Sequence, residues 1–188
     1  METTLYIKNM VCDRCVMAID KTLRDLRLHP LTVELGVAKV DTSLTDRQRD
    51  ELRHRLKALG FELLEDRQQQ TIEKVKNAVI RLVHYQTSQP TLNLSDYLAQ
   101  ELGSDYSALS KLFSEVTGTT IEHYYIGQRI ERVKELLTYD ELSLTQIALE
   151  MNYSSVAYLS SQFKQVTGMT PSQFKTLHRN QRKPLDKV

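Results

Sequence analysis

The segment GSDYSALSKLFSEVTGTT, residues 103–120, recurs fifty residues later as YSSVAYLSSQFKQVTGMT, residues 153–170. Ser104/Ser154, Leu109/Leu159, Ser110/Ser160, Phe113/Phe163, Val116/Val166, Thr117/Thr167, Gly118/Gly168 and Thr120/Thr170 are identical pairs. A short amphipathic segment precedes each copy: DYLAQEL runs up to Gly103 and TQIALEM up to Asn152. Gly and Asn both tolerate the left-handed backbone that ends a helix. The spacing therefore predicts helix, tight turn, helix, twice over.

Within each copy the apolar spacing places Leu109, Phe113 and Val116, and likewise Leu159, Phe163 and Val166, on an inward face. Ser107, Ser110, Lys111 and Ser114 are left outward in the first copy. Ala157, Ser160, Ser161 and Lys164 are left outward in the second. A helix-turn-helix inserts its second helix into the major groove of double-stranded DNA, and small polar residues let that helix sit deep. Serine bonds to bases or phosphates, alanine packs on a thymine methyl, and lysine takes guanine O6/N7 or a phosphate. The intervening helix, expected over about 121–138, spans roughly 25 Å at ~1.5 Å per residue. That suits two readers on grooves ~34 Å apart. The competing reading is a helical bundle whose serine-rich faces are merely solvated.

Upstream the period changes. TLYIK alternates like a strand, and Val16, Ile19, Leu23 and Leu26 then share one helical face. LTVEL and VAKVD flank Gly36 as a hairpin, 46–59 is a charged amphipathic helix stopped by Gly60, and FELLE closes as a strand. This β-α-β-β-α-β order predicts a ferredoxin-like unit over residues 1–66. RQQQT at 67–71 is expected as a linker, followed by an all-α domain over 72–179 that opens with a helix over 72–85. Residues 180–188 are expected as a flexible basic tail. The fold class is thus α+β.

Forty percent apolar residues suffice for a core, and no apolar run reaches the ~18–20 residues of a membrane span. METTLYIKN lacks the apolar stretch of a signal peptide, so a cytoplasmic location is expected. The formal net charge is +1, and residues 90–188 carry ten Lys/Arg against eleven Asp/Glu. The second half is therefore not the strongly basic surface usual in nucleic-acid binders. No catalytic constellation or glycine-rich phosphate loop is present, so no enzyme is expected.

Residues 72–178 resemble the two-unit helix-turn-helix domain of AraC-type transcriptional regulators. IALEMNYSSVAYLSSQFKQVTGMTPSQFK follows that family's signature, with Asn152 in place of its usual glycine and Ser161 where many members have arginine. Arg129 and Arg132 stand where the family carries arginines. The resemblance implies sequence-specific regulation of transcription, with duplex DNA and RNA polymerase as partners and no membrane association.

The two cysteines, Cys12 and Cys15, lie in KNMVCDRCV. At a helix start the dipole favours thiolate at both sulfurs, and two thiolates suit a soft ion such as Cu(I). Zinc asks for four ligands, and His29, His54 or His84 could approach only through folding. Met10 is expected as a buried plug beneath the loop. Residues 3–66 resemble the heavy-metal-associated domain of copper chaperones and metal-pumping ATPases, through NMVCDRC, with Asn9 for that family's glycine, and LGF at 59–61. The resemblance implies a copper or other soft-metal site at Cys12 and Cys15. Metal binding, a purely structural role and a redox dithiol all remain open. The competing class for the whole chain is a metal carrier or thiol-redox protein whose helical half binds a protein.

Overall fold

Alternation along TTLYIK produces the first strand, β1 (Thr3–Lys8), with Leu5 and Ile7 buried and Thr4 exposed. The computed structural model describes residues 2–85, 93–139 and 141–176. Helix α1 (Asp13–Asp25), strands β2 (Pro30–Glu34) and β3 (Val37–Val40), helix α2 (Asp46–Ala58) and strand β4 (Glu62–Leu64) follow. The sheet is antiparallel, ordered β2-β3-β1-β4, with Leu5 opposite Ala38 and Ile7 opposite Leu63. Ile19 and Leu23 of α1 and Leu52 and Leu56 of α2 pack with Leu5, Ile7, Ala38 and Val40 in one core. Both helices thus cover one face of the sheet. Thr45 and Gln48 cap α2 reciprocally, satisfying amides that would otherwise be orphaned at its start.

The polar joint expected at Arg67–Thr71 is instead the beginning of α3 (Arg67–Ile80). The Asp66 carboxylate accepts from the Gln69 amide at 2.9 Å and starts the helix. Gln70, Lys74 and Asn77 then form one stripe. Gln70 donates to the Leu64 carbonyl at 3.0 Å, Lys74 Nζ lies 4.6 Å from the centre of the Tyr6 ring, and Asn77 packs against Gly36. A polar segment is helical here because strand backbone and a tyrosine ring supply partners that sequence spacing does not show. The helix expected over 72–85 accordingly ends earlier, and Arg81–Tyr85 is a π-helical turn.

Six further helices follow among the described residues: α4 (Leu94–Leu102), α5 (Tyr106–Thr117), α6 (Ile121–Tyr139), α7 (Leu144–Glu150), α8 (Val156–Thr167) and α9 (Pro171–Thr176). Residues 86–92 and the expected basic tail at 180–188 fall outside the described residues. The chain forms two compact units that interleave in sequence. One comprises Met1–Ala78 with Leu98–Gly118, the other Val79–Tyr97 with Thr119–Val188. In the second unit Ile130, Val133 and Leu137 of α6, Ile147 of α7, Leu159 and Phe163 of α8 and Phe174 of α9 share a core. Ser143 and Gln146 form the capping box that opens α7. The class is mixed α+β: a small N-terminal sheet and an all-helical C-terminal part. Among the described residues no helix is long and apolar enough to cross a membrane.

Candidate nucleic-acid interface

The second helices of the two repeats fold with matching local chemistry, α5 in one compact unit and α8 in the other. Helix α5 opens on Asp105, whose carboxylate accepts from the Ala108 amide, and α8 on Ser155, whose hydroxyl accepts from the Tyr158 amide, both at 3.1 Å. Thr117 donates to the Phe113 carbonyl at 2.7 Å and Thr167 to the Phe163 carbonyl at 2.8 Å. Both helices stop at a left-handed glycine, Gly118 at φ 73° and Gly168 at φ 81°. Leu109, Phe113, Leu159 and Phe163 are buried. Most of the identities that betray the repeat are therefore core, capping or turn residues.

The turns differ. Gly103 (φ 59°) ends α4, with the Ser104 amide bonded to the Ala99 carbonyl at 3.3 Å. Asn152 (φ 53°) ends α7, with the Tyr153 amide bonded to the Ala148 carbonyl at 2.8 Å. The cap of α5 follows its left-handed residue two positions on, that of α8 three, so the first turn is one residue shorter.

Asparagine at 152 is supported from α6. Arg129 donates to the Met151 carbonyl at 2.6 Å, and its guanidinium lies 3.9 Å from the Tyr153 ring centre. A cation on the last carbonyls of α7 also opposes the negative end of its dipole. The Tyr153 hydroxyl donates to Gln162 Oε1 at 2.7 Å, so the buried hydroxyl and the amide oxygen pair with each other. Burial pushes the Tyr153 phenol up to about 12, with the Arg129 charge pulling the other way. Arg132 is held by Glu135 at 2.8 Å and Glu150 at 3.9 Å, which makes it a tie between α6 and α7.

Val116 and Val166, expected inward, are 46% and 45% exposed. Each lies in the last turn before its glycine, where the helix has run beyond the buried stretch that ends at Phe113 or Phe163. In the second helix Gln162 is buried beside Phe163 through its bond to Tyr153. Of the expected outward set, Ser107, Lys111, Ala157, Ser161 and Lys164 are exposed, whereas Ser110, Ser114 and Ser160 are half-buried. The open faces are turned toward Ala108 and Glu115 in α5, and toward Tyr158 and Gln165 in α8, all exposed. These four were missed. Their signal was in the repeat itself, because they are exposed positions at which the copies differ.

The cysteine pair lies at the start of α1, Cys12 as its cap residue, with the two sulfurs 3.4 Å apart and both residues half-buried. Asn9 takes the left-handed conformation at φ 71° and donates to the Gly60 carbonyl at 3.0 Å, which fixes the loop. Met10 is 1% exposed and belongs to the core, as a plug should. The expected thiolate preference fails at Cys15. Burial pushes its thiol up, outweighing the Val11 and Cys12 backbone hydrogen bonds that favour ionisation. Among the described residues no three His, Cys, Asp or Glu side chains converge, so none of His29, His54 or His84 completes a site with the pair. The pair offers a soft ion two sulfur donors, with no third His, Cys, Asp or Glu among the described residues.

Residues 98–176 match the profile of the helix-turn-helix domain family. An uncharacterized helix-turn-helix-type transcriptional regulator of Staphylococcus aureus is 39% identical over 84 residues, covering 45% of this chain and 11% of that protein. The xylose operon regulatory protein of Escherichia coli K12 is 28% identical over 102 residues, covering 54% of this chain and 26% of that protein. The match thus spans only about a tenth to a quarter of those relatives' lengths. Among solved structures, the C-terminal domain of AraT, a response regulator of Geobacillus stearothermophilus, superposes with a TM-score of 0.50 at 24% identity. That superposition covers 60% of this chain and 88% of that one, and the likeness is one of fold.

Proposed function

We infer that this chain, whose C-terminal half carries an AraC-type helix-turn-helix domain, is a sequence-specific, DNA-binding transcriptional regulator. The carrying observation is the duplicated unit. Each second helix buries Leu and Phe on one side and leaves small and polar residues open on the other. Ser107, Lys111, Ala157, Ser161 and Lys164 are the proposed contacts, with Ser110, Ser114 and Ser160 beside them at the edge of the open face. The function is binding, not catalysis, as the relatives' names as transcriptional regulators also indicate. A cytoplasmic location with access to RNA polymerase follows from the same reading.

The test is a mobility-shift titration of the full chain at several salt concentrations, against duplexes selected from a random library. Specific complexes that weaken as salt rises are expected, because phosphate contacts release counterions. Failure to retain any duplex through selection would overturn the reading. It would favour instead a metal carrier or thiol-redox protein with a helical interaction module.

For residues 1–66 a ferredoxin-like, heavy-metal-associated-like domain is the proposed assignment. The βαββαβ order and the strand sequence β2-β3-β1-β4 support it. Cys12 and Cys15 are the proposed donors for one soft ion, Cu(I) being the best match to two sulfurs without a third ligand. The 3.4 Å approach of the two sulfurs is the supporting observation.

A further inference from the structure

The two second helices carry unlike charge on the same face. In α5, Ala108, Lys111 and Glu115 recur at i, i+3 and i+7 and all are exposed. In α8 the matching positions are Tyr158, Ser161 and Gln165, again all exposed. Lys111 Nζ stands 4.0 Å from Glu115 Oε1, with side chains 78% and 61% exposed. The cap of α5 is a second acid, Asp105, where α8 has Ser155. Lys164 of α8 has no carboxylate partner among the described residues. From cap to last turn the first helix therefore presents two acids against one base, and the second a single base.

DNA binding sums many phosphate contacts into an affinity indifferent to sequence. A helix that offers such contacts freely gains hold everywhere and discrimination nowhere. In a helix-turn-helix the early residues of the second helix meet base edges, which leaves its later turns nearer the backbone. Glu115 lies in those later turns, one turn beyond Lys111. A carboxylate there repels phosphate and engages the lysine that would otherwise bind one.

Resting on the DNA-binding reading, we propose that Glu115 is a specificity-determining residue that makes the two units unequal. It suppresses sequence-independent contact by α5, so that α8, with Lys164 unopposed by any carboxylate of its own helix and Gln165 neutral, supplies most of the non-specific hold. Helix α5 then adds binding chiefly where its early residues meet matching bases. Discrimination arises by penalising the wrong duplex as well as by favouring the right one.

The experiment compares full-length wild type with Glu115→Gln, Glu115→Ala and Gln165→Glu on two duplexes: one selected from a random library by the wild-type chain, and one of scrambled sequence. Both Glu115 variants are expected to bind the scrambled duplex roughly three- to tenfold more tightly, with a salt slope steeper by about one counterion. The selected duplex should gain less, so the specificity ratio falls. Gln165→Glu should weaken binding to both duplexes and flatten the slope. Wild-type complexes together with unchanged scrambled-duplex affinity and slope in both Glu115 variants would overturn this inference alone. Absence of any wild-type complex would overturn the DNA-binding reading and this inference with it.

Discussion

The Arg129 guanidinium lies 3.9 Å from the centre of the Tyr153 ring while donating to the Met151 carbonyl at 2.6 Å. One side chain thus closes the α7 C-terminus and covers the ring that opens the following turn. Arg129→Ala should lower stability by roughly 2–3 kcal/mol, combining a charge-assisted hydrogen bond with a cation–π contact. Arg129→Lys should recover only part, because a lysine cannot both stack on the ring and reach the carbonyl as a planar fork does. Denaturant unfolding of the two variants checks this; equal stability of Arg129→Ala and wild type would show the turn needs no clamp.

Tyr153 makes stability depend on alkaline pH. Its folded value of about 12 lies above the ordinary phenol value, so the native state holds this proton longer than the unfolded chain. The contribution is complete below pH ~10 and is lost as pH rises through about 12, amounting to roughly 2–3 kcal/mol over that window. Tyr153→Phe should remove this part of the alkaline decline. It should also cost about 1 kcal/mol at neutral pH, because Gln162 loses its donor. Unfolding curves between pH 8 and 12 provide the measurement.

Gly36 and Asn77 form a coupled pair. A Cβ at Gly36 would run into the Asn77 amide, and the residue sits at φ 81°; Gly60, at φ 86°, has open space around it. Gly60→Ala should cost about 1–2 kcal/mol from backbone conformation alone. Gly36→Ala should cost a further ~1–3 kcal/mol for overpacking. In an Asn77→Ala background that excess should vanish, and a double-mutant cycle reads it directly. Additive costs would mean that α3 is not seated on the hairpin turn.

Phe163→Ala should destabilise by roughly 3–5 kcal/mol, because the ring is fully buried in the second core. Lys164→Ala, one residue on and exposed, should leave the thermal midpoint nearly unchanged. It should weaken binding to all duplexes alike, with a salt slope lower by about one. A melting scan and a salt titration of both variants separate core from contact residue. Reversal of the two effects would mean that α8 faces the other way.

A competition titration against a Cu(I) chelator, comparing wild type with the Cys12→Ser/Cys15→Ser double variant, tests the thiol pair. One equivalent taken up by the wild type and none by the variant is expected. Equal uptake by both would place the copper elsewhere.

Local rules account for much of what the chain displayed before folding. Leu109 and Phe113, and Leu159 and Phe163, recur at helical spacing, and Gly118 and Gly168 mark the ends of α5 and α8. These features depend on residues within one or two turns of each other, where spacing and conformational preference suffice. Alternation and turn glycines likewise located β1, α2 and the hairpin. Other outcomes depended on groups distant in sequence. Arg67–Thr71 became helix because Leu64 and residues beyond offered partners to the stripe that begins at Gln70. Val116 and Val166 came out exposed because periodicity knows the face of a helix but not where its packing partner ends. Cys15 lost its expected thiolate preference to burial, and Asn152 was accommodated by an arginine more than twenty residues upstream. Sequence periodicity governs what a segment does alone, while desolvation, packing limits and long-range hydrogen bonds exist only once the elements have met.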